Sequence, residues 1–99
     1  MEYTVLILNP AADDLETIKS YLEQFSGDAP ERILRKLTQQ MKGLRILPNR
    51  FPQYLKNPAF RRMVVEDYLV FYKVFEDINM VKIHHVLHHS RNIEKLIGN

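Results

Sequence analysis

The spacing of hydrophobic and polar positions changes along the chain, and each change predicts a new element. The apolar run from Tyr3 to Leu8 is typical of a strand. It stops at Asn9-Pro10, where proline suits the first turn of a helix but cannot continue a strand ladder. From Asp14 onward, apolar residues recur at intervals of three and four, which indicates one stripe of a helix that ends at Ser26-Gly27. The members of this stripe are Leu15, Ile18, Leu22 and Phe25.

A second helix is predicted directly after the first. Asp28 is placed to accept hydrogen bonds from early backbone amides, Glu31 is placed to reach back, and Pro30 fits the first turn. The apolar residues that follow keep the helical spacing, and they are Leu34, Leu37, Met41 and Leu44. Because both helices are of similar length and each has one apolar seam, we expect an antiparallel helix hairpin.

The second half of the chain predicts a loop and three strands. Residues Leu47 to Ala59 contain three prolines and two asparagines, a density that prevents any long regular element. Three strand-like runs follow, and they are Phe60–Val65, Tyr68–Phe75 and Met80–Leu87. The short polar breaks between them favour an antiparallel meander. Residues Ser90 to Ile97 are expected to add a short helix.

The order of these elements, β-α-α-β-β-β with a short helix at the end, predicts an α+β fold. The helix hairpin is expected on one face of a curved, antiparallel, four-stranded sheet, with the first strand at an edge or beside the last strand. The other sheet face is then partly open and available to a ligand. The length of 99 residues suits a single domain that spans residues 1–99.

Alternation along a strand assigns side chains to the two faces of the sheet. In the third strand, one face holds Tyr68, Val70 and Tyr72, and the other holds Leu69, Phe71 and Phe75. The second set is entirely apolar, so we expect it to form the core and the tyrosine face to be wet. In the last strand, the same rule places His85 with Ile83 and Leu87, and His84 with Val86 and His88.

The charge of the chain is unevenly distributed, although the net charge is only +2. Every charged side chain from Arg32 to Val65 is basic, whereas residues 2–31 are acidic apart from Lys19. One part of the surface is therefore expected to be positive, and a phosphate backbone or an acidic protein segment is its natural partner. A solvated helix face with cations for solubility explains the same distribution.

Several classes of protein are disfavoured by what the sequence lacks. It contains no cysteine, which excludes disulfides, thiolate zinc sites and a thiol nucleophile. No stretch approaches the roughly 20 apolar residues of a membrane span, and the start of the chain lacks the basic segment of a signal peptide. We therefore expect a cytoplasmic protein without a membrane partner. Glycine-rich phosphate loops and a G-x-S-x-G elbow are absent, and no cofactor is predicted.

All four histidines lie between His84 and His89, close to Arg91. They form a weak zinc signature because soft ligands and a nearby carboxylate are missing, so no metal is predicted. A histidine near neutral pKa can instead act as general acid or base on RNA, and an adjacent arginine can stabilise a developing phosphorane. His88 and Arg91 have the right chemistry for this. Packing and strand-end hydrogen bonding are the structural alternative for each histidine.

Two sets of candidate site residues follow from this pattern. The candidate catalytic residues are Arg61 and Arg91, which would bind phosphate, and His88, which would carry the proton. The candidate binding residues are Arg62, Tyr68, Tyr72, Lys82 and His84. Arg61 and Arg62 point to opposite faces of their strand, so only one of them can reach a shared pocket. The two tyrosines suit either stacking on a base or packing.

Over nearly its whole length the chain resembles the RelE/ParE superfamily of type II toxins, of the plasmid stabilisation type. The resemblance rests on the opening strand with residues 9–15, on the paired helices, on Arg61 with residues 67–72, and on residues 86–93. The segment Asp67 to Tyr72 is similar to the family's Y-L-x-F-Y strand. The segment Val86 to Ile93 is similar to its V-L-H-x-x-R-D ending, which is the more specific of the two.

The resemblance implies a growth-inhibiting toxin inside the cell, encoded beside an antitoxin whose extended C-terminal segment wraps the toxin and masks its basic face. RelE-like members cleave messenger RNA in the ribosomal A site, as mRNA interferases, whereas ParE-like members poison DNA gyrase. Leu69 occupies the position that often carries a catalytic arginine in the nucleases, and the ending at His88 favours the ParE-like members. Asn92 and Ser90 depart from that ending. Endoribonuclease activity stays open, as does the oligomeric state.

A protein of another class fits the same sequence. It is a binding module without catalytic activity that keeps only the antitoxin-binding surface.

Overall fold

The structure is a computed structural model that describes residues 2–97 of the chain. Its helices and strands are β1 (Thr4–Ile7), α1 (Asn9–Leu22), α2 (Ala29–Lys42), β2 (Arg61–Val65), β3 (Tyr68–Phe75), β4 (Met80–His88) and α3 (Ile93–Ile97). The predicted order of elements is confirmed, and helices pack on a sheet in an α+β fold. None of the helices within residues 2–97 has the length and apolar character to cross a membrane.

The sheet has the strand order β1-β4-β3-β2. β1 was predicted at an edge or beside the last strand, and both hold. Its predicted direction is wrong, because β1 runs parallel to β4 and the sheet is mixed rather than antiparallel. The reason lies in the connections: short turns reverse the chain between β2, β3 and β4, whereas two helices carry it from β1 to the opposite edge.

Both helices differ from the sequence-based expectation at one end. α1 ends at Leu22 rather than at Ser26-Gly27, so Phe25 lies beyond the helix and is 53% exposed instead of buried. The predicted cap of α2 is wrong, because Asp28 makes no side-chain capping hydrogen bond. Its backbone has φ −88° and ψ −16°, whereas a capping residue usually has an extended backbone from which its side chain can fold back.

The main core lies between the two long helices and one face of the sheet, which we call the helix face. The helices contribute Ala11, Ile18, Leu22, Leu37 and Met41 to it, and β3 contributes Tyr68, Val70 and Tyr72. The prediction of a wet tyrosine face is therefore wrong. Both faces of β3 are apolar enough to be covered, and α1 and α2 cover the one that carries the tyrosines.

The opposite side of the sheet, which we call the outer face, has a smaller core of its own. Phe60, Phe71 and Leu87 are buried there. Tyr54 from the proline-rich loop packs against them, as do Ile93 and Ile97 of α3. The loop and α3 thus cover one part of the outer face and leave the part beside β1 and the first half of β4 uncovered.

A β-bulge in β4 changes which side chains share a face. Phe71 pairs with His85 and Tyr72 with Ile83, so His84 is an extra residue on β4. Beyond it the alternation shifts by one position. Ile83 and Val86 therefore both lie in the main core, and Leu87 lies in the outer one. The predicted grouping of Ile83 with Leu87 is wrong for this reason.

Candidate functional site

The bulge in β4 is fixed by a carboxylate from α1. Asp14 Oδ2 accepts a hydrogen bond from the backbone N–H of Val86 over 2.9 Å, and it lies 2.9 Å from His85 Nδ1. Both side chains are largely buried, at 20% and 24% exposure. The carboxylate thus satisfies a backbone amide at the irregular point of the strand and ties α1 to β4. Sequence reasoning missed this contact because nothing local links residues 14 and 85.

The end of β4 is stabilised by contacts of His88. Its Nδ1 accepts a hydrogen bond from the backbone N–H of Ser90 over 3.2 Å and lies 2.8 Å from Ser90 Oγ. In the neutral ring the proton is therefore on Nε2. The ring stands edge-on to Tyr68 with 5.4 Å between centroids, and it stacks on His89 at 4.5 Å. The backbone N–H of Arg91 donates to the carbonyl of His88, which closes the turn after the strand.

Three of the candidate residues meet at this end of the sheet, in a cavity of about 320 Å³. We call it the α1–β4 cavity, and it is lined by Thr17, Ile18, Tyr21, Tyr68, His88, Ser90 and Arg91. Tyr21 is a member that sequence reasoning missed, although it lies three positions after the core residue Ile18. Burial raises the pKa of Tyr68, and the neighbouring Tyr21 and Asp67 raise it further. The phenol therefore stays neutral and can donate a hydrogen bond.

Arg61 is not part of the α1–β4 cavity. It pairs with Tyr72 in the sheet, whereas Tyr68 pairs with Val65, four positions further along β2. Four residues of strand span roughly 13 Å. The guanidinium of Arg61 donates to the carbonyl of Phe51 over 2.7 Å, and the side chain lines a separate cleft of about 470 Å³. The predicted patch that joins Arg61 to His88 and Arg91 is therefore not formed.

Tyr72 is a packing residue and has no exposed surface. Its hydroxyl donates to the carbonyl of Pro48 over 2.6 Å, which attaches the proline-rich loop to the sheet. Burial raises the pKa of Tyr72 to about 12. The side chain thus holds the loop in place instead of offering a face to a ligand.

The remaining candidate binding residues lie on the outer face. Lys82 is directly opposite Lys73 on the neighbouring strand, and Arg62 lies next to them on β2, opposite Phe71. The Nζ of Lys73 is 4.7 Å from the centroid of the Phe60 ring, and the Nζ of Lys82 is 4.9 Å from that of Phe75. Sequence reasoning missed Lys73, because the partner of Lys82 is known only once the register is known.

His84 completes this group on the outer face. Its ring stands edge-on to Phe60 at 5.1 Å, and its Nε2 is buried without a hydrogen-bond partner among residues 2–97. Burial lowers the pKa of His84, and the neighbouring Lys73, His85 and Lys82 lower it further. Histidine at this position is therefore neutral near pH 7 and surrounded by positive charge.

The basic run from Arg32 to Val65 does not make one continuous positive surface. Arg32 and Lys36 both contact Glu66, at 2.7 and 3.7 Å. Arg45 pairs with Glu2, and Lys56 with Glu94. The run extends over α2, the loop and β2, so its cations are spread over the fold, and these four lie near acidic side chains from outside the run, which neutralise them. Within residues 2–97, Arg62 of β2 has no such acidic partner, and neither have Lys73 of β3 and Lys82 of β4.

The histidines, which are adjacent in sequence, are distributed over different surroundings. His84 lies on the outer face, His85 contacts Asp14, and His88 lies in the α1–β4 cavity. His89 has its Nε2 4.0 Å from Asp67. Within residues 2–97, no three histidine, aspartate or glutamate side chains lie close enough together to hold a metal ion.

A family model described as the ParE toxin of the type II toxin-antitoxin system parDE matches residues 5–93. No curated protein matches the chain significantly by sequence. Three solved structures are similar in fold. A chromosomal ParDE toxin-antitoxin system from P. aeruginosa matches with a TM-score of 0.74 and 16% identity, covering 88% of this chain and 96% of that one.

The other two structures come from RelE proteins. The RelBE2 toxin-antitoxin complex from Mycobacterium tuberculosis has a TM-score of 0.68 and 21% identity, covering 92% of this chain and 95% of its own. A free E. coli RelE toxin with two arginines changed to alanine has a TM-score of 0.53 and 15% identity, covering 97% and 93%. At these identities the three likenesses show the fold alone.

Proposed function

Because the chain belongs to the ParE toxin family of type II toxin-antitoxin systems, we propose that this toxin acts in the cytoplasm on DNA gyrase and that a cognate antitoxin neutralises it. The observation that carries the choice of gyrase over messenger RNA is the separation of Arg61 from His88 and Arg91. RNA cleavage by these side chains requires them to reach the same phosphate.

The geometry of the candidate catalytic groups supports this choice. General acid–base catalysis needs its groups within about 3 Å of the reacting atoms, directly or through one water. His88 and Arg91 share the α1–β4 cavity, but Arg61 lines another cleft, and its guanidinium donates a hydrogen bond to the carbonyl of Phe51. Leu69, at the position where nucleases of the superfamily often carry an arginine, packs in the outer core. A phosphate in the cavity would thus meet only one of the two candidate arginines.

Expression of the chain in cells tests both parts of the proposal. We expect growth arrest with induction of the DNA-damage response, and relief when the neighbouring gene is expressed with it. Primer extension on messenger RNA should show no cuts in the ribosomal A site. A-site cuts that vanish in Arg91→Ala would contradict the choice of gyrase, and unaffected growth would favour the binding module without catalytic activity.

The edge of the sheet at β1 is the surface that best suits the antitoxin. Among residues 2–97, β1 is an outer strand with one neighbouring strand, β4. The backbone N–H groups of Thr4 and Leu8 donate to the β4 side of the sheet, so those of Val5 and Ile7 point away from it. An edge with free backbone groups is the site at which an extended segment of another chain can add a strand.

Side chains next to this edge provide a place for apolar residues of the antitoxin. Ile7 is 42% exposed and Leu6 is 44% exposed, one on each side of the strand. A groove of about 200 Å³ lies on the side of Ile7, lined by Val5, Ile7, Leu15, Thr38, Met41 and Lys42. Lys42 at this groove suits an acidic residue of the antitoxin. The proposed partner segment is therefore an extended strand with apolar side chains and an acid.

A pair of matched variants tests this docking surface. Ile7→Glu places a charge in the groove, so we expect the antitoxin to bind at least tenfold more weakly in a titration while the chain alone still arrests growth. Ile78→Glu is the control, because Ile78 is 56% exposed and lies outside the groove. Equal antitoxin affinity for both variants would show that the antitoxin docks elsewhere.

A further inference from the structure

Two lysines on the outer face lie in register on neighbouring strands. Lys73 of β3 is directly opposite Lys82 of β4, and His84 lies two positions further along β4. Arg62 of β2 is placed on the same face by alternation, since Arg61 and Met63 on either side of it point towards the helix face. All four side chains are partly exposed.

This arrangement is unfavourable for the protein alone. Two like charges directly opposite each other on paired strands repel and destabilise the sheet. Within residues 2–97 no carboxylate lies within 4.0 Å of Lys73 or Lys82, and both ammonium groups rest over aromatic rings instead. An anion bound between the two lysines would remove the repulsion.

We propose that Lys73, Lys82 and Arg62 form a binding site for the phosphate groups of a nucleic-acid backbone. Cα atoms of directly opposed residues are only about 5 Å apart. One phosphate can accept from both ammonium groups at this separation, because it presents several oxygens. The next phosphate along the strand then meets Arg62, while Phe75 offers an aromatic ring beside the backbone path. The inference is independent of the proposed target, since it concerns the purified chain.

The chemistry favours a nucleic acid over an acidic protein segment. A phosphodiester chain repeats its charge regularly and binds a row of cations with the release of counterions. Here Arg62 of β2 lies diagonal to the Lys73–Lys82 pair of β3 and β4, and this spread of charge suits an extended strand of nucleic acid more closely than a single anion.

Fluorescence anisotropy of labelled single-stranded oligonucleotides tests the site. The arms are a DNA and an RNA oligonucleotide of the same sequence, together with an acidic peptide of glutamates. The test variant is the double substitution Lys73→Gln and Lys82→Gln. The control is Lys19→Gln with Lys95→Gln, which removes the same charge from exposed positions on α1 and α3.

We expect the test variant to bind the oligonucleotides at least tenfold more weakly, and the control to change the affinity by no more than about twofold. The slope of log affinity against log salt concentration should fall by about 1.4, as expected for two lost contacts to a single strand. The test variant should also unfold at a higher urea concentration than the wild type, because the lysine repulsion is gone. The DNA and RNA arms then identify which backbone binds more tightly.

Three results would overturn the proposal. They are no binding of either oligonucleotide by the wild type, equal losses in test and control variants, and tighter binding of the acidic peptide than of both oligonucleotides. The last result would assign the face to an acidic protein partner instead.

Discussion

Replacing Asp14 with alanine is expected to lower the free energy of unfolding by about 2–3 kcal/mol. The Asp14 carboxylate is the acceptor for the backbone N–H of Val86 and the partner of His85 Nδ1, each at 2.9 Å. The substitution removes the partner of a largely buried backbone amide at the β4 bulge. A hydrogen bond to a charged group contributes about 1.5–3 kcal/mol, and an amide left without a partner costs about 1–3 kcal/mol. Both figures describe the loss of the same interaction, so they are not added, and the expected decrease in the free energy of unfolding stays at about 2–3 kcal/mol.

Two further variants separate the hydrogen bonds from the loss of a charge. Asp14→Asn keeps an oxygen that can accept from the backbone N–H of Val86. It should therefore lower the free energy of unfolding by only about 1 kcal/mol, which is the order of magnitude of one hydrogen bond. Asp13→Ala is the control on the same helix, because Asp13 is exposed and its side chain makes no hydrogen bond to the described residues, whereas its backbone carbonyl accepts from Thr17. A surface change of this kind alters stability by no more than about 0.5 kcal/mol.

Urea unfolding followed by far-ultraviolet circular dichroism measures these differences. The midpoint should fall in the order Asp13→Ala, Asp14→Asn, Asp14→Ala, while the slope against urea stays constant. A double-mutant cycle with His85→Ala should give a coupling energy of about 1 kcal/mol or more between the two side chains. The reasoning is refuted if Asp14→Ala is as stable as Asp13→Ala.

Three other substitutions test separate parts of the fold. Tyr72→Phe leaves the Pro48 carbonyl without its donor and should lower the free energy of unfolding by about 1–2 kcal/mol in urea, with a loop that is cleaved faster by protease. Burial, and after it the charge of Lys73, lowers the pKa of His84 in the folded protein below the 6.5 of the unfolded chain. As the pH drops below about 6.5, the unfolded chain therefore binds a proton before the folded protein does, and the free energy of unfolding should fall. His84→Gln should flatten that fall between about pH 7.5 and pH 5.5, and an unchanged slope would contradict the assignment. Gly27 has φ +91°, so Gly27→Ala should lower the urea midpoint by the equivalent of about 1 kcal/mol, although none of the described residues obstructs the added methyl group.

The order of elements could be predicted from the sequence because periodicity and turn residues are local signals. Asn9-Pro10 marked the change from strand to helix, and the three prolines between residues 47 and 59 marked the loop. The direction of β1 and the identity of the core face of β3 could not be predicted in this way. The direction of β1 depends on the two helices that carry the chain to the opposite edge of the sheet. The core face of β3 depends on which face those helices cover, because both of its faces carry apolar or aromatic side chains.

The candidate site was predicted in part. His88, Arg91 and Tyr68 do meet, because Tyr68 and His88 are paired in register and Arg91 follows in the turn. Arg61 does not join them, because it pairs with Tyr72 and not with Tyr68. The sequence could not predict this, since the distance between residues on neighbouring strands depends on the register. The bulge at His84 was not predicted either. It is held by a contact between residues far apart in sequence, and it decides the face of every side chain after it.

Adding purified toxin to DNA gyrase and supercoiled plasmid tests whether gyrase is the target. We expect double-stranded breaks linked to gyrase to accumulate with increasing toxin, and we expect prior mixing with the cognate antitoxin to abolish them. If gyrase is unaffected by a toxin that arrests growth, and the same preparation cleaves messenger RNA on ribosomes, then gyrase is not the target.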